Sequence, residues 1–123
     1  FIINHYLVYA RNGGRSYANF NIADQNDRLT EILETSGVRT FYFCGPSHYG
    51  VSDDSVQTAN NVTYINLPAT GNPGNYYPAN EECGADGIGM QMEVYEGSVV
   101  LRFRNYLTGE WLEGYDNYVF ELD

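Results

Sequence analysis

The sequence predicts an α/β fold: one βαβ unit, with a mixed sheet completed by a C-terminal antiparallel hairpin, in a single domain spanning residues 1–123. Two observations carry this. Between two runs rich in β-branched and aromatic residues, the apolar period changes to that of a helix at Leu29, Ile32 and Leu33. Further on, apolar and polar residues alternate on both sides of Glu96-Gly97, the pattern of a hairpin buried on one face. A chain of 123 residues with 43% hydrophobic content is long enough to close one core.

Taken in order, Ile2 to Tyr9 reads as a strand, and Asn12-Gly13-Gly14 after it supplies residues that tolerate positive φ. Asp24 to Ser36 reads as the one helix, with Asp24 and Asp27 suited to its N-terminus and Gly37 to its stop. Val38 to Cys44 is a continuous apolar and aromatic run, short enough for a buried strand, and strand, helix, strand implies two parallel strands. Gly45 to Asn61 has few apolar anchors and reads as a loop with one short helical turn near Ser55 to Ala59. Val62 to Leu67 is a further strand, and Pro68 to Gly87 a long loop without periodicity.

The hairpin spans Ile88 to Tyr106. A two-residue turn at Glu96-Gly97 pairs Val94 with Val99, Met92 with Leu101 and Met90 with Phe103, which gathers these six apolar residues on one face. The methionine stripe is therefore expected to pack in a core. After it come a turn at Thr108-Gly109, Trp111 as an anchor against the sheet, and a short strand at Tyr118-Val119-Phe120.

Charge narrows the partners. Sixteen acidic residues face six basic ones, all arginine, for a formal charge of −10. Nucleic-acid backbones and anionic membranes would be repelled, because their phosphates need clustered cations. No apolar stretch approaches the ~20 residues that span a bilayer, and the first residues lack the basic flank and apolar block of a leader. A soluble segment is expected, with periplasmic and extracellular locations left open. The chain starts at Phe1 rather than methionine, which implies cleavage, a cloned boundary or a fragment. Cys44 and Cys83 can pair or stay free, and a buried free thiol is expected at Cys44 in its apolar run.

Two histidines occur, both where strands give way to loops. His5 lies in Ile2-Ile3-Asn4-His5-Tyr6, and His48 in Phe43-Cys44-Gly45-Pro46-Ser47-His48-Tyr49. Loops after parallel strands are where imidazoles can converge on a metal. The acidic Asp53-Asp54, Glu81-Glu82 and Asp86 lack the oxygen spacing of an EF-hand and read as solvated loops. Asn61-Val62-Thr63 fits a glycosylation acceptor. A nucleophile elbow and a Walker loop are both missing from the sequence.

At these residues the chain resembles the C-terminal part of a bacterial calcineurin-like metallophosphoesterase. That family places a histidine after one apolar strand and a Gly-His-x-His motif after another. The segment at His5 looks like the first, and Gly45-Pro46-Ser47-His48 looks like the second. Asp24 to Leu29, Tyr64 to Thr70, Met92 to Glu96 and Arg104 to Trp111 extend the likeness over nearly the whole chain. The resemblance implies half of the family's sandwich, a hydrolase that uses divalent manganese, iron or zinc, and His5 and His48 as metal ligands.

Two departures qualify what is implied. Pro46 stands where the family has its first Gly-His-x-His ligand, and proline offers no nitrogen. The family's Asp-x-His pair, bridging aspartate and Asn-His pair have no counterpart before Phe1. Two imidazoles fall short of the three or four ligands of a stable site. The expectation is a fragment or degenerate relative with no tightly bound metal, not catalytic alone. The alternatives are a phosphoesterase completed by a missing N-terminal half or partner subunit, and a non-catalytic extracellular binding or assembly module. A homo-oligomer is a further expectation, since a halved sandwich would leave an apolar face or a strand edge to be covered.

Overall fold

The computed structural model describes residues 1–6, 8, 11, 12, 25–45, 50–70 and 86–122. Their secondary structure is β1 (Ile2–Ile3), α1 (Asn26–Thr35), β2 (Thr40–Cys44), β3 (Val56–Ala59), β4 (Val62–Asn66), β5 (Ile88–Val94), β6 (Ser98–Asn105) and β7 (Tyr118–Glu121), with a 3-10 turn at Asp53–Ser55. These elements fall into two compact units, the first holding β1 to β4 and α1, the second β5 to β7.

In the first unit the sheet order is β1-β2-β4-β3, with β1, β2 and β4 parallel and β3 antiparallel to β4. The two central strands, Thr-Phe-Tyr-Phe-Cys and Val-Thr-Tyr-Ile-Asn, are buried at every position, which is why they read as continuous runs rather than alternations. One core gathers Val8, Leu33, Tyr42, Cys44, Val62 and Tyr64, with Ile2, Leu29 and Ala59 at its margin. Phe1 packs near the rings of Phe41 and Phe43, and the Arg39 guanidinium lies over Phe41.

The described helix runs from Asn26 to Thr35, Asp24 lying outside the described residues, and of its three apolar residues Ile32 is 54% exposed. Leu29 and Leu33, four residues apart, define the stripe that meets the core; Ile32 falls beside it. Gly37 closes the helix at φ +71°. β1 stops after Ile3 because the Asn4 carboxamide turns the chain: its Oδ1 accepts from the Tyr6 N–H at 3.4 Å while its Nδ2 donates to the Tyr42 hydroxyl at 2.8 Å.

The short helical turn expected near Ser55 to Ala59 lies at Asp53–Ser55, and residues 56–59 form strand β3 instead. Val56-Gln57-Thr58-Ala59 carries almost no apolar pattern of its own; a two-residue turn, with Asn60 at φ +52°, folds it back on β4. Asn12, also at positive φ, is buried and donates its Nδ2 to the carbonyls of Asp54 and Tyr64 at 2.9 and 3.1 Å. It fastens the segment after β1 to the β3–β4 hairpin.

The second unit is a three-stranded antiparallel sheet in the order β5-β6-β7. β5 and β6 pair Val94 with Val99, Met92 with Leu101 and Met90 with Phe103. Val99, Leu101 and Phe103 are fully buried. This hairpin does not complete the mixed sheet. Alternation fixes the pairing inside a hairpin but not the sheet it joins, and β6 takes β7 as its second neighbour. Trp111 bridges to Arg104, and the guanidiniums of Arg102 and Arg104 lie over its ring at 3.8 and 4.8 Å from the centroid.

Candidate functional site

Three parallel strands end at one edge of the first sheet. Ile3 pairs with Phe43, and the Asn4 N–H donates to the Phe43 carbonyl at 2.9 Å. One strand further in, the Leu67 N–H donates to the Cys44 carbonyl at 2.7 Å. Asn4-His5, Gly45 and Leu67 therefore leave β1, β2 and β4 side by side, at the carboxyl ends where open α/β sheets bind ligands.

The exit from β1 is held tightly. Tyr42, nearly inaccessible in the core, accepts from Asn4 and donates its hydroxyl proton to the Tyr6 carbonyl at 3.1 Å. Burial pushes this phenol above its ordinary value despite the partly offsetting Asn4 hydrogen bond, so it stays a protonated donor at neutral pH. His5, between Asn4 and Tyr6, is exposed, its imidazole edge-on to the Tyr6 ring at 5.1 Å. Sequence reasoning singled out His5 but missed Asn4 and Tyr42, which position it. Asn4 stood next to His5 in the sequence, but its partner lies 38 residues away.

Cys44 ends β2. It is a free, buried thiol that donates to the Ile65 carbonyl at 3.3 Å. Burial pushes its pKa up to about 12. A nucleophile or a metal ligand has to be the thiolate, so this residue is packing rather than chemistry.

Pro46 and His48, like Cys83, Glu81 and Glu82, lie outside the described residues. Among the described residues His5 is the one histidine, and no group of three or more His, Cys, Asp or Glu could hold a metal ion. A stable centre takes three or four ligands, so the described residues do not fit one by themselves. Asp53 and Asp54 are exposed on their 3-10 turn.

The glycosylation triplet is built into the fold. Val62 and Thr63 are fully buried in β4. The Asn61 amide nitrogen that would carry a glycan donates instead to the Leu33 carbonyl at 2.9 Å and to the Val38 carbonyl. It satisfies acceptors at the end of α1, where helices leave carbonyls unpaired.

Among the described residues no helix is long and apolar enough to cross a membrane. No family model, curated protein or solved structure matches the chain.

Proposed function

We propose that this chain is a fragment or degenerate relative of a calcineurin-like metallophosphoesterase, one that does not hydrolyse phosphate esters alone. The observation that supports this reading is the shared strand edge. His5 comes two residues after the end of β1, and Gly45, the first residue of Gly45-Pro46-Ser47-His48 in the sequence, directly follows β2, the parallel neighbour of β1. In the family that the chain resembles both segments carry metal ligands, and Pro46 offers no nitrogen where that family has a histidine. Further ligands would come from a segment or subunit outside these residues, which makes completion by a partner the reading to test alongside inactivity.

The test is metal content after purification, for the chain as it stands and for Pro46→His, with hydrolysis of a chromogenic phosphodiester followed in parallel. The expected result is metal well below stoichiometric in the first, a gain towards one equivalent in Pro46→His, and no turnover in either. Metal-dependent turnover by the unaltered chain, abolished by His5→Ala or His48→Ala, would overturn the inactivity. No gain of metal in Pro46→His would remove the support for the family reading.

A further inference from the structure

One face of the second sheet gathers two arginines with aromatic rings. Val99, Leu101 and Phe103 of β6 are buried on one side, so Arg102 and Arg104 stand on the other. Trp111 pairs with Arg104 and shares that side. Both guanidiniums lie over the Trp111 ring, and Arg104 lies over Tyr106 as well, at 5.8 Å from the centroid. Gly89 is the cross-strand partner of Arg104, and a Cβ there would come within 2.9 Å of the Tyr106 ring. The glycine thus lets that ring lie against the strand beside the guanidinium.

The two arginines differ in what they meet. Arg102 Nε donates to the Asp116 carbonyl at 2.9 Å, and its Nη1 lies 3.5 Å from Glu93. Arg104 has five N–H donors but meets one acceptor among the described residues, the Gly109 carbonyl at 2.9 Å from Nη2. No carboxylate of the described residues pairs with it, and its Nε–H is buried without an acceptor. The chain has sixteen acidic residues against six arginines, so acids are plentiful, yet none is placed to neutralise this one. A buried donor left unmet is costly and calls for an acceptor from outside the chain.

Beside Arg104, apolar surface stands open on a fixed turn. Asn105 Oδ1 accepts the Leu107 and Thr108 N–H groups at 2.9 and 3.2 Å, and the Gly109 N–H donates to the Asn105 carbonyl at 2.8 Å. Held in this way, Tyr106 and Leu107 remain 53% and 76% exposed. A turn ordered in advance loses little further freedom when something binds to it.

We propose that Arg104, with Tyr106 and Leu107, is a binding site for a monocarboxylate that carries an apolar group. The carboxylate takes unfilled N–H donors of Arg104, whose planar fork matches it, and the apolar part lies on Tyr106 and Leu107. Charge selects the single anion: a chain at −10 opposes a dianion such as phosphate about twice as strongly as a carboxylate. A free acid and the C-terminus of a peptide present this same chemistry. The assignment rests on nothing proposed for His5 and His48.

Trp111 is the one tryptophan of the chain, so its fluorescence reports on this site. The probes are N-acetyl-leucine, N-acetyl-leucinamide, a tripeptide ending in leucine and inorganic phosphate, each titrated at near-physiological salt. N-acetyl-leucine should give a saturable change, and the amide and phosphate none over the same range. Tighter binding of the tripeptide than of N-acetyl-leucine assigns a peptide terminus as the source, and equal or weaker binding a free acid. Arg104→Lys keeps the charge and loses the fork, so it should weaken binding at least about tenfold, with the far-ultraviolet spectrum unchanged. Leu107→Ser, on the exposed turn, is a second variant that keeps the fold and should weaken N-acetyl-leucine several-fold. No saturable change, an equal response to the amide or to phosphate, or an affinity unmoved by both variants would each overturn the assignment.

Discussion

Glu34 shows how much one side chain can tie together. Its Oε1 accepts from Arg11 Nη2 at 2.6 Å, from Arg11 Nε at 3.1 Å and from the Tyr64 hydroxyl at 2.8 Å, and its Oε2 accepts from Asn60 at 3.0 Å. Helix, loop, central strand and β-turn meet on that carboxylate. Burial alone would raise its pKa, but the Arg11, Tyr64 and Asn60 donors outweigh burial and hold it below the ordinary value. The opposite holds at Tyr64, whose hydroxyl is pushed up first by burial and then by its bond to Glu34. For a carboxyl whose folded pKa is depressed, the stabilisation is complete above the unfolded value and is lost as pH falls through the folded one. Urea titrations should therefore show a falling midpoint on going from neutral pH to about pH 4 and below. Glu34→Gln should lower stability by about 1–3 kcal/mol at neutral pH, and the gap should close in acid. A constant gap across that range would assign the stabilisation elsewhere. None of this was legible beforehand, because four residues far apart in sequence carry no local mark of converging.

At the level of elements, the hairpin was legible and β3 was not. Met90, Met92, Val94 and Val99, Leu101, Phe103 alternate strictly, and a slip of one residue would turn each to the wrong face, so pattern fixes register. Val56 to Ala59 has no such pattern and becomes a strand only because Val62 to Asn66 offers it an edge. The start of the hairpin depends on Gly87. It sits at φ +84°, and a Cβ there would come within 2.5 Å of Leu107 Cγ. Its own N–H and C=O bond Thr70 and Tyr106. Gly87→Ala should cost about 1–3 kcal/mol, through the left-handed backbone and the displaced Leu107 together. Gly97→Ala, where a Cβ meets nothing within 4 Å, is the control and should change the urea midpoint little. Equal losses in the two variants would show that the hairpin entry is not special.

For the whole molecule, the acidic excess governs behaviour in solution more than fold. With a pI near 4.3, turbidity should peak close to that pH and clear on either side; solubility unchanged through the pI would mean that charge repulsion is not what keeps the chain dispersed. The sequence by itself determined the helix between two parallel strands, the hairpin register, the burial of Cys44 and the position of His5 just past a strand, because each of these follows from local periodicity or from the chemistry of neighbouring residues. Only the tertiary structure decided that the hairpin joins β7 in a sheet of its own and that Asn61 serves the end of α1. The same is true of the Asn4 and Tyr42 bond that sets the exit of His5. The reason is physical: which sheet a hairpin joins and which distant donor finds a given acceptor depend on long-range packing, and no short window of residues encodes a contact with a partner tens of positions away.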